Sequence, residues 1–299
     1  MDDGRRRVFA SLGVLVFLVN FGRVVFAPLV DVFMGVFQVG EATAGLVVTL
    51  LWLGSAAPRL PAGYLLTRVD RHRVVAGTGV FLSAAAALTA AAPTIWWVGA
   101  GAFFVGVASG VYFIAANPLV SELFPDSVGV AVGGHATASQ LAAVLAPGLV
   151  GAALALGWQS VFVALSVLAL VGTAALVAAT RSATLPDAGA ADREVRSAVR
   201  AQWPLVLTGV VVLGVAGFVW NGVFNFYVPY LKASKQLDAD TARLLLTGLF
   251  AAGVPAMLVT GRLADRFRPR RLLLAVVAGF AVALAGVTVL EGLAAVAAG

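Results

Sequence analysis

Few groups able to bind or transfer anything interrupt the long apolar runs of this sequence, and Arg23 stands out among them. Asn20, Arg23 and Asp31 are separated by three and eight residues, a spacing that puts all three on one face of a helix. A charged side chain at the centre of a lipid-embedded helix costs about 2.5–3.5 kcal/mol, which makes such a residue a candidate site by default. A guanidinium presents a rigid fork of donors that fits carboxylate or phosphate oxygens. Arg23 therefore reads as an anchor for an anionic ligand or as the partner of a buried carboxylate. The bland alternatives are a guanidinium that snorkels to the membrane surface and one paired structurally with Asp31. In a later apolar run Asn221 and Asn225 lie one turn apart and offer amide donors and acceptors. His135 and Ser139 are likewise one turn apart. His135 changes charge near neutral pH and is a candidate for proton-linked work, with Asp31 as a second; a lone histidine near a helix start is more often a structural hydrogen-bonding group.

Other chemistries find little support. The two histidines, His72 and His135, are far apart and the chain has no cysteine, so no metal site, thiolate or disulfide is expected. No cofactor is expected either. Gly133-Gly134 and the Gly99, Gly101 pair follow no strand and precede no lysine, unlike a phosphate-binding loop, and read as helix-packing glycines. No nucleophile with a base beside it is visible, which leaves an intramembrane enzyme as the least favoured class.

The elements that must position these residues follow from composition. Of 299 residues, 61% are apolar and 11% charged, against roughly a quarter charged in soluble domains. So little polar surface cannot cover a globule, and the lipid bilayer is the expected surrounding. About 20 helical residues cross the ~30 Å hydrocarbon core. Runs of that order occupy Val8 to Val30, Ala42 to Leu66, Val74 to Ala92, Ile95 to Leu123, Val128 to Leu156, Val161 to Ala179, Pro204 to Leu231, Ala242 to Ala264 and Leu272 to Val289. These nine runs are rich in Val, Leu, Ala and Gly without polar alternation, so the expected fold is an all-α, polytopic membrane bundle. The first run lacks a cleavage signature and is kept as a span.

With the amino terminus in the cytoplasm, sixteen of the twenty basic residues fall inside, Lys232, Lys235 and Arg243 outside, and Arg23 within a span. That bias predicts a multi-pass cell-membrane protein with a cytoplasmic amino terminus, and it accounts for the net charge of +6 without nucleic acid.

One basic loop has a counterpart. Gly63 to Arg73 reads GYLLTRVDRHR and Gly261 to Arg271 reads GRLADRFRPRR; Gly63, Leu65, Arg68 and Arg73 align with Gly261, Leu263, Arg266 and Arg271 at an offset of 198 residues (261 − 63). Arg71 and Arg270 add to the charge of each loop. Six spans separate the copies, as a duplicated six-helix unit requires. The same offset carries Arg23 onto Asn221, with Asn225 one turn on.

These loops resemble the major facilitator superfamily, whose signature after helix 2, echoed after helix 8, runs G-x-L-A-D-R-x-G-R-[RK]-[RK]. Gly261-Arg262-Leu263-Ala264-Asp265-Arg266 follows it closely, and the first copy departs at Leu66 and Thr67. Ala146-Pro147-Gly148-Leu149-Val150-Gly151 is similar to the family's helix-5 motif, with Pro147, Gly148 and Gly151 at its fixed positions. Gly157-Trp158-Gln159-Ser160-Val161-Phe162 looks like its start of helix 6, and Ser121-Glu122-Leu123-Phe124-Pro125 like its end of helix 4.

The resemblance implies a six-helix bundle over 1–180, a cytoplasmic linker over 181–201, and a partial second bundle over 202–299 holding helices 7 to 9 and the start of 10. It implies secondary active transport of a small solute by alternating access, with Arg23, Asn20, Asn221 and Asn225 near a central cavity and Arg23 hinting at an anion. It also implies that the loops of Gly63, Arg68, Arg71, Arg73 and of Gly261, Asp265, Arg266, Arg270, Arg271 act as gates, with Asp265 pairing to the start of helix 5 near Ser127 and Val128. For Thr67 the counterpart would lie on an eleventh helix that the sequence does not reach, so a truncated transporter is expected. The alternative is a non-transporting remnant or an interaction subunit, with a second polypeptide supplying the missing helices.

Overall fold

In the computed structural model the described residues are 3–181, 183, 185 and 200–289. Among them the regular structure is entirely helical, as the lack of polar alternation requires. The expected first span is two helices, α1 (Asp3–Val24) and α2 (Phe26–Phe37). Pro28 explains the break, because its ring crowds the carbonyl four residues back, that of Val24. The second span is divided in the same way into α3 (Glu41–Ala56) and α4 (Arg59–Leu65) at Pro58. Then follow α5 (Arg71–Ala90), α6 (Ile95–Leu123), α7 (Val128–Ala153), α8 (Gln159–Arg181), α9 (Trp203–Lys235), α10 (Ala239–Arg266) and α11 (Pro269–Val289). Among the described residues eight stretches are long and apolar enough to cross a membrane. The seventh expected span, Pro204 to Leu231, lies within α9. Most of the linker expected at 181–201, and the start of a tenth span after Val289, lie outside the described residues.

The chain forms two compact units: Met1–Ala191 with Gly253–Asp265, and Asp192–Ala252 with Arg266–Gly299. In the first, α1 is central. Its Leu12, Leu15, Val16 and Val19 are fully buried. Lipid gives helices no hydrophobic reason to associate, so close backbone approach through small residues must hold them. Between α3 and α6 this occurs three times, where Gly54 meets the carbonyl of Phe103, Gly106 that of Leu51 and Gly110 that of Ser55. Between α5 and α8, Gly79 sits on Thr173, and the hydroxyls of Ser83 and Ser166 are 2.9 Å apart.

The turn into α8 is set by Gly157, whose φ of +88° is one that side-chain-bearing residues avoid. It delivers Trp158 into a cluster with Phe33, Phe37 and Phe162, ring centroids 5.3, 5.9 and 6.1 Å away.

The second unit is slighter. Leu231 of α9 and Ala242 of α10 are buried together, with Tyr227, Tyr230 and Leu245 against them. Elsewhere α9 and α11 expose apolar side chains such as Val210, Leu213, Phe218, Leu274 and Val282, surfaces that suit lipid or further helices.

Candidate anion site and its supporting helices

Arg23 lies in the last turn of α1, half-buried, with its guanidinium carbon 4.6 Å from the ring centroid of Trp52 on α3 and 5.7 Å from that of Phe113 on α6. No described residue gives it an ion pair or a hydrogen bond. The two rings hold the cation by the attraction of their negative faces, which leaves its N–H donors unspent. Asp31, expected on the same face, stands on α2 beyond the Pro28 break, is exposed, and forms no ion pair with Arg23. The structural pairing with Asp31 is therefore not made. Arg59 starts α4 and donates from Nε to the carbonyl of Ser55 at 3.3 Å. Trp52, Ser55 and Arg59 recur at spacings of three and four, so one face of α3 and α4 carries all three.

Asn20 is engaged elsewhere. Its amide donates to the carbonyl of Ser139 at 2.7 Å and ties α1 to α7. Asn221 and Asn225 sit on α9, and their side chains are outside what is described.

His135 is buried on α7, with its ring stacked on that of Tyr112 at a centroid distance of 6.0 Å. The fully buried Tyr112 hydroxyl donates to the carbonyl of Leu12 at 2.8 Å and is 3.1 Å from His135 Nε2. Having given its one proton to Leu12, the phenol can only accept from histidine, so Nε2 carries the hydrogen. This contact joins α1, α6 and α7. Tyr112 was missed in the sequence because a lone tyrosine in an apolar run looks like filler.

At the paired basic loops the two copies differ. Asp265 Oδ1 accepts from the backbone N–H of Gly129 at 2.6 Å and Oδ2 from that of Val130 at 2.8 Å, just beyond the expected Ser127 and Val128. Gly261 approaches the Gly129 carbonyl closely, whereas Gly63 has open space where a Cβ would stand. Gly63 therefore makes no close helix approach among the described residues. Arg71 Nη1 reaches Glu122 at 2.6 Å, Arg73 reaches Asp70 at 3.2 Å, and Arg68 lies 4.7 Å over the Tyr64 ring. Arg266, Arg270 and Arg271 are exposed. Pro147 lies inside α7, and Gly148 and Gly151 there face open space.

A guanidinium held by rings inside a bundle of apolar helices, with no ion pair among the described residues, marks a functional-site candidate in a multi-pass membrane protein. The sequence pattern of the Major Facilitator Superfamily matches residues 12–299, and the chain belongs to that superfamily. A gentisate transporter of Corynebacterium glutamicum is 25% identical over 307 residues, covering 94% of this chain and 67% of its own. A bacterial homologue of the human lysosomal transporter Spinster, inward-facing and unoccupied, has a TM-score of 0.65 at 18% identity over 90% of this chain. A peptide transporter bound to alafosfalin has a TM-score of 0.54 at 17% identity over 82% of this chain. The chain spans 64% and 56% of those two structures. At such identities the structural likeness shows the fold.

Proposed function

We propose that this chain takes part in secondary transport of a small carboxylate across the cell membrane by alternating access, and that Arg23 binds the carboxylate. The observation that supports this is Arg23 itself, half-buried within its bundle, held by Trp52 and Phe113, and without a carboxylate partner among the described residues. A cation desolvated in this way gains most from an anion that offers bidentate acceptance. Gentisate, named for the Corynebacterium relative, carries a carboxylate, which agrees with the reading. Asn221, which corresponds to Arg23 at the 198-residue offset (221 − 23), and Asn225 one turn on are proposed as further solute-contacting residues. The sixteen-to-three distribution of basic residues supports a cytoplasmic amino terminus. Asp265, on the amides that open α7, acts in this reading as the gate contact.

The test compares benzoate with benzamide, its neutral counterpart, in equilibrium binding to the purified chain, followed by uptake into proteoliposomes. Charge-dependent binding predicts that benzoate binds, benzamide does not, and Arg23→Gln loses tenfold or more of the affinity. Equal binding of the two compounds, or full benzoate affinity in Arg23→Gln, overturns the proposal.

A further inference from the structure

We infer that Trp52 and Phe113 determine specificity at this site and select anions whose acid group is borne on a flat, aromatic ring. The inference rests on the reading of Arg23 as a carboxylate anchor and adds the shape of what the carboxylate is attached to.

Trp52 is 50% exposed although it stands in the middle of a membrane-spanning stretch, away from the interfacial belt where tryptophan is usual. It lies against Arg23, so part of its indole is covered by the guanidinium and the rest is open beside it. Phe113 reaches the same guanidinium from α6 and is partly buried. A carboxylate on the free N–H edge of Arg23 therefore brings its carbon skeleton beside an aromatic surface that is already in place.

Two physical consequences follow. A flat ring can lie against the open indole with offset or edge contact, which a puckered or branched skeleton cannot match over the same area. The guanidinium is also fixed by its contacts with rings on two helices, so little side-chain freedom is lost when the ligand arrives. Both helices hold their rings firmly, because Gly106 and Gly110 of α6 bring it to backbone contact with α3 at Leu51 and Ser55, on either side of Trp52. A change in either ring therefore alters which carbon skeleton is preferred without removing the charge that binds the acid.

The experiment uses benzoate and cyclohexanecarboxylate, equal in charge and carbon count but flat and puckered respectively, with the purified full chain and calorimetric binding. The wild type is expected to prefer benzoate by about two- to tenfold, the worth of one aromatic pair. Trp52→Leu is expected to bring the ratio of benzoate to cyclohexanecarboxylate affinity down to about one, apart from any loss common to both acids as Arg23 is loosened, and Trp52→Phe to retain part of the ratio; a ratio unchanged in Trp52→Leu overturns the inference. Phe113→Leu, measured alongside, reports on the second ring if Trp52→Leu proves unstable in a melting control. Equal affinity for both acids in the wild type, with loss of both in Arg23→Gln, overturns the inference and leaves the carboxylate reading standing. Binding of neither acid by the wild type overturns both.

Discussion

Asp265 caps a helix to which it does not belong: its two carboxylate oxygens accept from the backbone N–H groups of Gly129 and Val130 at 2.6 and 2.8 Å, in the first turn of α7. Those amides have no acceptor within their own helix, and the positive end of the α7 dipole favours a negative charge there. Asp265→Ala is expected to destabilise the detergent-solubilised chain by about 1 kcal/mol, the usual worth of a cap. Asp265→Asn should cost less, since it keeps an acceptor and loses the charge. Melting temperatures in low and high salt measure both. An alanine variant as stable as wild type at low salt would show that the contact contributes nothing.

The same junction depends on having no side chains. A Cβ at Gly261 would meet the carbonyl of Gly129, and one at Gly133 would meet that of Met257, so α7 and the end of α10 touch backbone to backbone. Gly261→Ala should cost about 1–3 kcal/mol, as overpacking does. Gly148→Ala, in open space on α7, should be neutral or mildly stabilising through helix propensity. Because the chain has no cysteine, a single cysteine at Ala264 would report solvent access to the junction without background labelling. Gly261→Ala is expected to speed that labelling, and an unchanged rate would argue that the helices already stand apart.

Tyr112→Phe removes one hydroxyl, leaves the buried His135 Nε2–H without its acceptor, and takes from the Leu12 carbonyl the bond it accepts beside its helical one. An unsatisfied buried polar group costs about 1–3 kcal/mol, so a stability loss in that range is expected from a change of one atom. His135→Leu, which orphans only the phenol's acceptor side, should cost less than Tyr112→Phe. Chemical unfolding of the two variants under matched detergent decides the order, and the reverse order would mean that histidine, not tyrosine, organises the junction.

Much of this architecture is legible in the sequence because lipid imposes simple rules. Span length, the absence of polar alternation and the paired loops at Gly63 and Gly261 are all local patterns, and they deliver the helices in order. The breaks at Val25 and Pro58 are local too, since Pro28 and Pro58 mark them, but apolar length alone hides them. What is not legible is which side chains meet. Arg23 is conspicuous as a charge in an apolar run, whereas Trp52 and Phe113, 29 and 90 residues further along, show no sign of serving it. Asn20 has the right type for a ligand contact, yet its amide is taken by the Ser139 carbonyl, a backbone partner that no side-chain pattern announces.

The two ion pairs at the first loop give a final prediction, because they differ mainly in exposure. Arg71 and Glu122 meet at 2.6 Å with side chains 12% and 32% exposed, while Arg73 and Asp70 meet at 3.2 Å with side chains 72% and 40% exposed. Solvent screens the second pair, whose coupling should fall within about 0–1 kcal/mol. For the first, removal of one partner leaves a poorly solvated charge behind, so Arg71→Gln and Glu122→Gln should each destabilise by more than their double variant implies by addition. A double-mutant cycle should give a coupling of about 1–3 kcal/mol for Arg71–Glu122. A coupling no larger than that of Arg73–Asp70 would mean that the buried arginine is held by its hydrocarbon stem and not by its charge. In that case Arg71→Met should preserve stability, whereas an electrostatic tie predicts that Arg71→Met is as damaging as Arg71→Gln.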